Sequence, residues 1–320
     1  MLKYLLRGGF MTIVFKVSDN IKEKMIKYYE NLKRPTTPPY AVFQAQEEDT
    51  IITLYNSGKA MFQGVSADID ANIWIDQEKH LNNRIIDINP KKEEKKEQKL
   101  NFINCSSIGS DEVGTGDFFG PIVVTATFVS KENINYLMDL GVRDSKKITD
   151  DKILKIGKEI IKNIPHVTFI LDNPSFNKFT KMGYNMNKIK AILHNKVLVE
   201  MIKKEQGNYE KIVVDQFVYP KKYYEHINDA KEKATNITFM THAEDQCLSV
   251  AAASIISRYT FLVQMKKLGD ELNMVIPKGA GEKADEIGLK IAQDKGFDYL
   301  NTIAKINFKN IDKIKAMANK

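Results

Sequence analysis

Apolar and polar residues alternate along TIVFKV (12–17), AVFQAQ (41–46), TIITLY (50–55) and AMFQG (60–64). A period of two predicts strands with one buried face. Between the first two, IKEKMIKYYENL (21–32) changes to helical spacing, with Ile21, Met25, Tyr28 or Tyr29, and Leu32 on one side. KRPTTPPY (33–40) ends that helix, because proline lacks the backbone donor and restricts the residue before it. Asn56-Ser57-Gly58 reads as the turn of a hairpin, and residues 66–80, with the only tryptophan, Trp74, as a second helix.

KKEEKKEQK (91–99) has no apolar residue and cannot pack, so it is expected to be a linker, partly helical. Beyond it the texture changes. NFINCSSIGS, IVVTATFV, HVTFIL (166–171), KIVVDQF (211–217) and ITFMTHA (237–243) read as strands. Residues 150–164, 186–204, 248–267 and 283–295 read as helices. Strands first, then strands alternating with helices, predict an α/β unit around a mixed sheet. The expected domains are an N-terminal unit over 1–90, the linker 91–99 and the main unit 100–320. Residues 1–10 are expected to be an unstructured extension, with Met11 as an alternative start.

The 320 residues carry a net charge of +7, which favours an anionic partner, nucleic acid first, although a lysine-rich solvated surface gives the same value. Charge does not single out the N-terminal unit: residues 1–90 sum to zero, the linker to +2 and the remainder to +5. Cys105 and Cys247 lie far apart with no CxxC pair, which argues against a disulfide framework or a cysteine zinc site and suits a cytoplasmic protein. The opening MLKYLLRGGF is too short in apolar residues for a signal peptide, and no uninterrupted apolar run reaches membrane-spanning length. No membrane association and no obligate protein partner are expected, and the chain is expected to be a monomer.

Acids stand where they are costly. Asp111 and Glu112 follow an apolar run, Asp215 follows IVV, and Glu244 and Asp245 precede an alanine-rich helix. Acids at the carboxyl ends of strands and at a helix start can converge on one edge of an α/β sheet. Clustered carboxylates repel and need a compensating charge. Hard Mg²⁺ or Mn²⁺ suits oxygen donors better than zinc does. Read singly, each acid is as well explained by solvation, and neighbours on a strand point to opposite faces, so a bend at Gly114 would be needed to bring Asp111 and Glu112 together. Gly114 and Gly116 allow the backbone to approach a ligand closely, or simply make a tight turn. Ser145, Lys146 and Lys147 are candidate phosphate contacts. On 186–202, Met186, Ile189, Leu193, Val197 and Met201 form an apolar stripe, while Asn187, Lys190 and His194 recur on another face that could grip a backbone strand. His194 reads as a structural hydrogen-bonding residue rather than a general base.

DEVGTGDFFGP (111–121), RDSKKI (143–148), YNMNKIKAILHN (184–195), VVDQF (213–217), AEDQCLSVAAASIISRY (243–259) and PKGAGEKADEIG (277–288) together resemble bacterial ribonuclease HIII, of the type 2 ribonuclease H family. The resemblance runs in order over residues 100–308. It implies an RNase H-like mixed sheet flanked by helices and endonucleolytic cleavage of the RNA strand of an RNA–DNA hybrid duplex, leaving a 5′-phosphate and a 3′-hydroxyl. It also implies Mg²⁺ or Mn²⁺, two ions in the active complex, with Asp111 bridging both and Glu112 and Asp215 completing their ligands. Glu244 is implied as the fourth acid, holding water or a transient ion, with Asp245 as the adjacent alternative. Gly114, Thr115 and Gly116 would read the ribose 2′-hydroxyl through their backbone.

The N-terminal unit is similar to a TATA-box-binding-protein half-domain, an α+β module that would hold substrate. Lys59, Phe62 and Gln63 are its expected contacts, and Tyr40, Phe43 and Tyr55 its possible stacking surfaces. Ribonuclease HII typically has arginine between the two glycines. Thr115 stands there in this chain, which favours runs of ribonucleotides over a single embedded one. Ribonuclease HII-like cleavage at single ribonucleotides and non-catalytic hybrid binding are the competing readings.

Overall fold

The computed structural model describes residues 11–86, 102–142 and 148–319. The expected linker 91–99, the extension 1–10, and Ser145, Lys146 and Lys147 lie outside the described residues. The chain divides into two compact units, Met1–Gln98 and Lys99–Lys320.

The first unit runs β1 (Met11–Lys16), α1 (Asp19–Tyr28), β2 (Ala41–Glu47), β3 (Thr50–Tyr55), β4 (Lys59–Gly64) and α2 (Ala67–Asn82). Its strands form an antiparallel sheet in the order β1-β4-β3-β2. Alternation sorts the side chains by face. Phe15, Phe43, Ala45, Ile52, Leu54, Ala60 and Phe62 pack with Ile21, Met25 and Tyr29 and with Ala67, Ala71 and Trp74. Val14, Lys59, Met61 and Gln63 fall on the alternate positions, away from the helices. The two helices are tied together where α1 begins: Ser18 donates from its amide (2.5 Å) and its hydroxyl (2.8 Å) to the buried Glu78 of α2. Gly58, at φ 79°, closes the β3–β4 hairpin and donates to the Tyr55 carbonyl at 2.9 Å.

The second unit runs β5 (Ser107–Val113), β6 (Ile122–Val129), α3 (Ile134–Asp139), α4 (Asp150–Asn163), β7 (His166–Leu171), α5 (Asn173–Lys181) and α6 (Met186–Glu205). It continues with β8 (Lys211–Asp215), α7 (Pro220–His226), β9 (Ile237–Met240), α8 (Leu248–Leu272), α9 (Glu282–Ile303) and α10 (Asn310–Ala318). The sheet order is β7-β6-β5-β8-β9; β6 is antiparallel to both neighbours, and β5, β8 and β9 are mutually parallel.

Helices cover both faces of this sheet. Ile189, Leu193, Val197 and Met201 of α6 pack on Ile108, Val124, Ala126, Ile212 and Val214. On the other face α8 lies so close to β5 that a Cβ on Gly109 would stand 2.4 Å from the Val250 amide nitrogen, which explains its run of alanines. By length and composition α8 could cross a membrane, longer and more apolar than uninterrupted runs in the sequence suggest; 61% of its most apolar window is buried inside the unit.

Several boundaries differ from expectation. The strand read at the start of the unit begins at Ser107 and extends through Val113, so Asp111 and Glu112 lie inside it. α9 does not stop at residue 295 but kinks at Gly296 (φ 83°) and continues to Ile303. Helices α3, α5, α7 and α10 have no counterpart in the pattern reading, because each is at most nine residues long.

Candidate active site

The alternation of β5 decides how its acids are used. Ser107, Gly109 and Asp111 face α8, while Ile108, Ser110 and Glu112 face α6: Ser107 bonds Ser249 of α8 and Ser110 bonds His194 of α6. The chain does turn at Gly114 (φ 96°), but beyond these residues, so the turn leaves Asp111 and Glu112 on opposite faces.

On the α8 face, β8 carries Asp215 to the same sheet edge, where its Oδ1 accepts the Ala243 amide at 3.0 Å. That bond anchors the single 3₁₀ turn Ala243–Asp245, which holds Glu244 almost fully buried, 3% exposed, and leaves Asp245 exposed. Asp111 lies within the fields of Glu112, Asp215 and Glu244; burial first, then the neighbouring carboxylates, push its carboxyl well above the usual range, with Ser254 opposing. This is a set of hard oxygen donors that repel one another, which fits a divalent cation. Of the two adjacent acids, Glu244 is the buried one and its charge helps raise Asp111, whereas Asp245 is exposed. Ligand atoms of His242, Glu244 and Asp245 also lie within 4.8 Å of one another.

On the α6 face Glu112 has a different environment. Lys190 Nζ stands 2.5 Å from its Oε1 and 4.1 Å from the Phe217 ring centroid. His194 Nε2 stands 2.9 Å from Oε2, and His194 Nδ1 is 2.7 Å from the Ser110 hydroxyl. A carboxylate only accepts, so Nε2 carries the hydrogen, while Nδ1 pairs with the Ser110 hydroxyl. Burial would raise the Glu112 carboxyl, but Lys190 and His194 hold it well below the usual range. His194, with no solvent exposure, is thus a bridge between strand and acid.

The two glycines after the acids differ. A side chain at Gly114 would strike the Pro121 carbonyl at 2.2 Å and would need a positive φ, so this glycine is demanded by the fold. At Gly116 a Cβ would meet nothing within 4 Å, so the fold gives no reason for glycine there. Thr115, between them, is half-buried and Gly116 is exposed.

In the N-terminal unit, Tyr40, Tyr55, Asn56, Ser57, Lys59 and Met61 line a shallow concavity. Tyr40 is 84% exposed and Lys59 and Gln63 stand clear of the core. Phe62 and Phe43, expected as a contact and a stacking surface, are 0% and 1% exposed. Phe62 stacks on Phe15 at 5.6 Å and Phe43 packs against Tyr29, so neither can meet a ligand in this state. Asn187 is half-buried at the start of α6, three residues before Lys190.

A mixed sheet sandwiched by helices thus gathers acids at the edge where parallel strands end. Residues 108–311 match the family model described as Ribonuclease HII, and residues 12–84 match one described as a domain of unknown function, DUF3378. The chain is 38% identical over 313 residues to the ribonuclease HIII of Bacillus velezensis, spanning 96% of this chain and 98% of that protein. It is 37% identical over 304 residues to the ribonuclease HIII of Lactococcus lactis subsp. lactis, spanning 95% and 98%. It superposes on a crystal structure of Bst-RNase HIII in complex with Mn²⁺ with a TM-score of 0.67 and 34% identity, over 96% of this chain and 99% of that one. The chain belongs to the ribonuclease HIII family.

Proposed function

We propose that the protein hydrolyses the RNA strand of RNA–DNA hybrid duplexes, leaving a 5′-phosphate and a 3′-hydroxyl, with a preference for runs of ribonucleotides. The observation that carries this reading is the convergence of Asp111, Asp215 and Glu244 on the α8 face, close in the chain to an exposed glycine, Gly116, where open space would admit a ligand.

Asp111 and Asp215 would hold Mg²⁺ or Mn²⁺, two ions in the active complex, with Glu244 completing the set on the α8 face; Glu112 would join them from the α6 side of the same strand end, where its charge already acts on Asp111. When bound, such ions activate water for attack and stabilise the leaving oxygen. The chain's own contribution is to hold Glu112 ionised and to aim Asp215. Lys190 and His194 hold Glu112 as a carboxylate, and the Ala243 amide fixes one oxygen of Asp215. Lys190 is the counter-charge of Glu112 first, and a grip on the substrate backbone, together with Asn187, second. The backbone of Gly114, Thr115 and Gly116 would meet the 2′-hydroxyl, which DNA lacks, and a site built to bond it rejects DNA because its polar groups are left unpaired. Thr115 supplies no guanidinium for a lone ribonucleotide. Lys59 and Gln63, with Tyr40 and Tyr55, would hold the duplex on the bare face of the N-terminal sheet. We also propose a monomer, acting in the cytoplasm.

Three labelled duplexes test the reading: full RNA–DNA hybrid, DNA with one ribonucleotide, and all-DNA, incubated with wild type and Asp215→Asn, with Mg²⁺ or Mn²⁺ or with chelator. Metal-dependent cutting confined to the hybrid and lost in the variant is expected. Strong cutting at the single ribonucleotide would reverse the substrate preference. Tight hybrid binding with no cutting by wild type would make the chain a binding protein.

A further inference from the structure

Lys305 lies in AKINFK (304–309), near the end of the chain. In the fold its side chain has no solvent exposure. Its ammonium donates to the Asp117 carbonyl at 2.8 Å and to the Gly120 carbonyl at 2.7 Å. Its amide donates to the Phe118 carbonyl at 2.9 Å, the Gly120 amide donates to Ile303 at 3.2 Å, and Phe119 bridges Ala304 as in an antiparallel ladder. Residues 303–305 therefore run beside 118–120 and reach into them with one lysine.

That segment is itself fixed from behind. Asn177 of α5 donates to the carbonyls of Asn301 and Ala304, both at 2.9 Å, and accepts the Ile306 amide at 3.0 Å. The loop has a second anchor, the Gly279 amide on Asp117 Oδ1 at 2.5 Å. Thr115 and Gly116 are thus suspended between the end of β5 and a base gripped at Asp117.

An apolar side chain of similar length could fill the space of Lys305 but would leave two buried carbonyls without these donors. Burial pushes the Lys305 ammonium down to about 7, with Asp117 opposing. The neutral amine still has two N–H groups for its two carbonyls.

We propose that Lys305 is a positioning residue for ribose discrimination, its two bonds to the carbonyls of Asp117 and Gly120 fixing Thr115 and Gly116 relative to Asp111. The inference rests on the reading of Gly114–Thr115–Gly116 as the segment that meets the 2′-hydroxyl.

The test uses the full chain as wild type, Gly116→Ala, Lys305→Met and Lys305→Gln. For each, KM and kcat on an RNA–DNA hybrid, the inhibition constant of an all-DNA duplex of the same sequence, and Mn²⁺ affinity by calorimetry are measured. The ratio of DNA inhibition constant to hybrid KM is the discrimination. Lys305→Met is expected to fold, bind Mn²⁺ as wild type does and lose about tenfold in discrimination, mainly through KM, the size of one to two lost bonds' worth of positioning. Lys305→Gln, which can still reach one carbonyl, should fall between, at about threefold. If Lys305→Met does not fold, the ratio for Lys305→Gln decides the matter. A lowered melting temperature with an unchanged ratio in the folded variants makes Lys305 structural only and overturns the proposal. An unchanged ratio in Gly116→Ala overturns the ribose-reading segment itself. Collapse of the ratio in Gly116→Ala, with the lysine variants like wild type, overturns the role of Lys305 alone.

Discussion

Strand β4 of the N-terminal sheet buries Ala60 and Phe62 and turns Lys59, Met61 and Gln63 away from the core. Strand β6 of the second sheet buries all eight of its residues, because helices cover both faces. A sheet with one bare face can meet a long ligand along its strands. A sheet covered twice can meet one only at an edge, where strands end and side chains emerge between the helices. The acids follow this rule: Asp111 and Asp215 come from neighbouring parallel strands, and Glu244 from the turn that leads into the covering helix. On the proposed reading the first sheet holds the duplex and the edge of the second cuts it.

Asp215→Asn strikes the cutting edge most directly. It should lower hybrid cleavage by at least ~10³-fold, about 4 kcal/mol of barrier. Hybrid affinity, followed by fluorescence anisotropy, should stay within a few-fold of wild type. Loss of binding equal to loss of cleavage would mean that the acid acts on the fold.

Within β4 the two faces should respond differently. Phe62→Ala empties a core position and should cost about 3–5 kcal/mol in denaturant titration of the N-terminal unit. Gln63→Ala should change stability by no more than about 0.5 kcal/mol and yet weaken hybrid binding. Equal stability losses would dissolve the distinction between the faces.

Lys190→Met leaves Glu112 with one partner fewer in a mostly buried site, and without divalent cation should destabilise the second unit by about 1–3 kcal/mol at neutral pH. The folded-state pKa of Glu112 is lowered, so its contribution is present above the carboxyl's unfolded range and disappears as pH falls through the folded value. Melting in chelator at pH 7 and in strong acid checks both the size and the sign. A difference that persists unchanged in acid would place the effect of Lys190 in packing on Phe217.

A modest effect, confined to high pH, is expected at Asp70, in the first unit. Burial and then Glu47, Asp49 and Glu48 raise its pKa to about 8, with Thr50 opposing. A raised folded pKa means that stability is greatest below the unfolded value and is lost as pH rises towards 8. Because Asp70 keeps partial exposure, Asp70→Asn should gain only about 1 kcal/mol at pH 8 and nothing at pH 4, read as a shift in melting temperature.

Period two was enough to find β1, β3 and β4, and the apolar stripe on α6 packs as its spacing implies. The same alternation also argues that Phe62 points inward with Ala60, and that Asp111 and Glu112 point apart. Expecting Phe62 as a contact set hairpin position above strand parity. The candidate acids stood out because each interrupts an apolar run at the end of a strand or the start of a helix. Lys305 left no such mark: its burial depends on carbonyls nearly two hundred residues earlier in the chain. His194 shows a helical spacing from Lys190, but the Ser110–His194–Glu112 bridge exists only once α6 lies across β5.

The most direct measurement compares the full chain with the same protein lacking residues 1–90, for affinity and for cleavage rate at saturating hybrid. The account predicts that affinity falls at least ~10-fold, about 1.4 kcal/mol, while the saturated rate stays within a few-fold. Unchanged affinity, or a saturated rate that collapses in a folded truncated protein, would contradict the division between a holding sheet and a cutting edge.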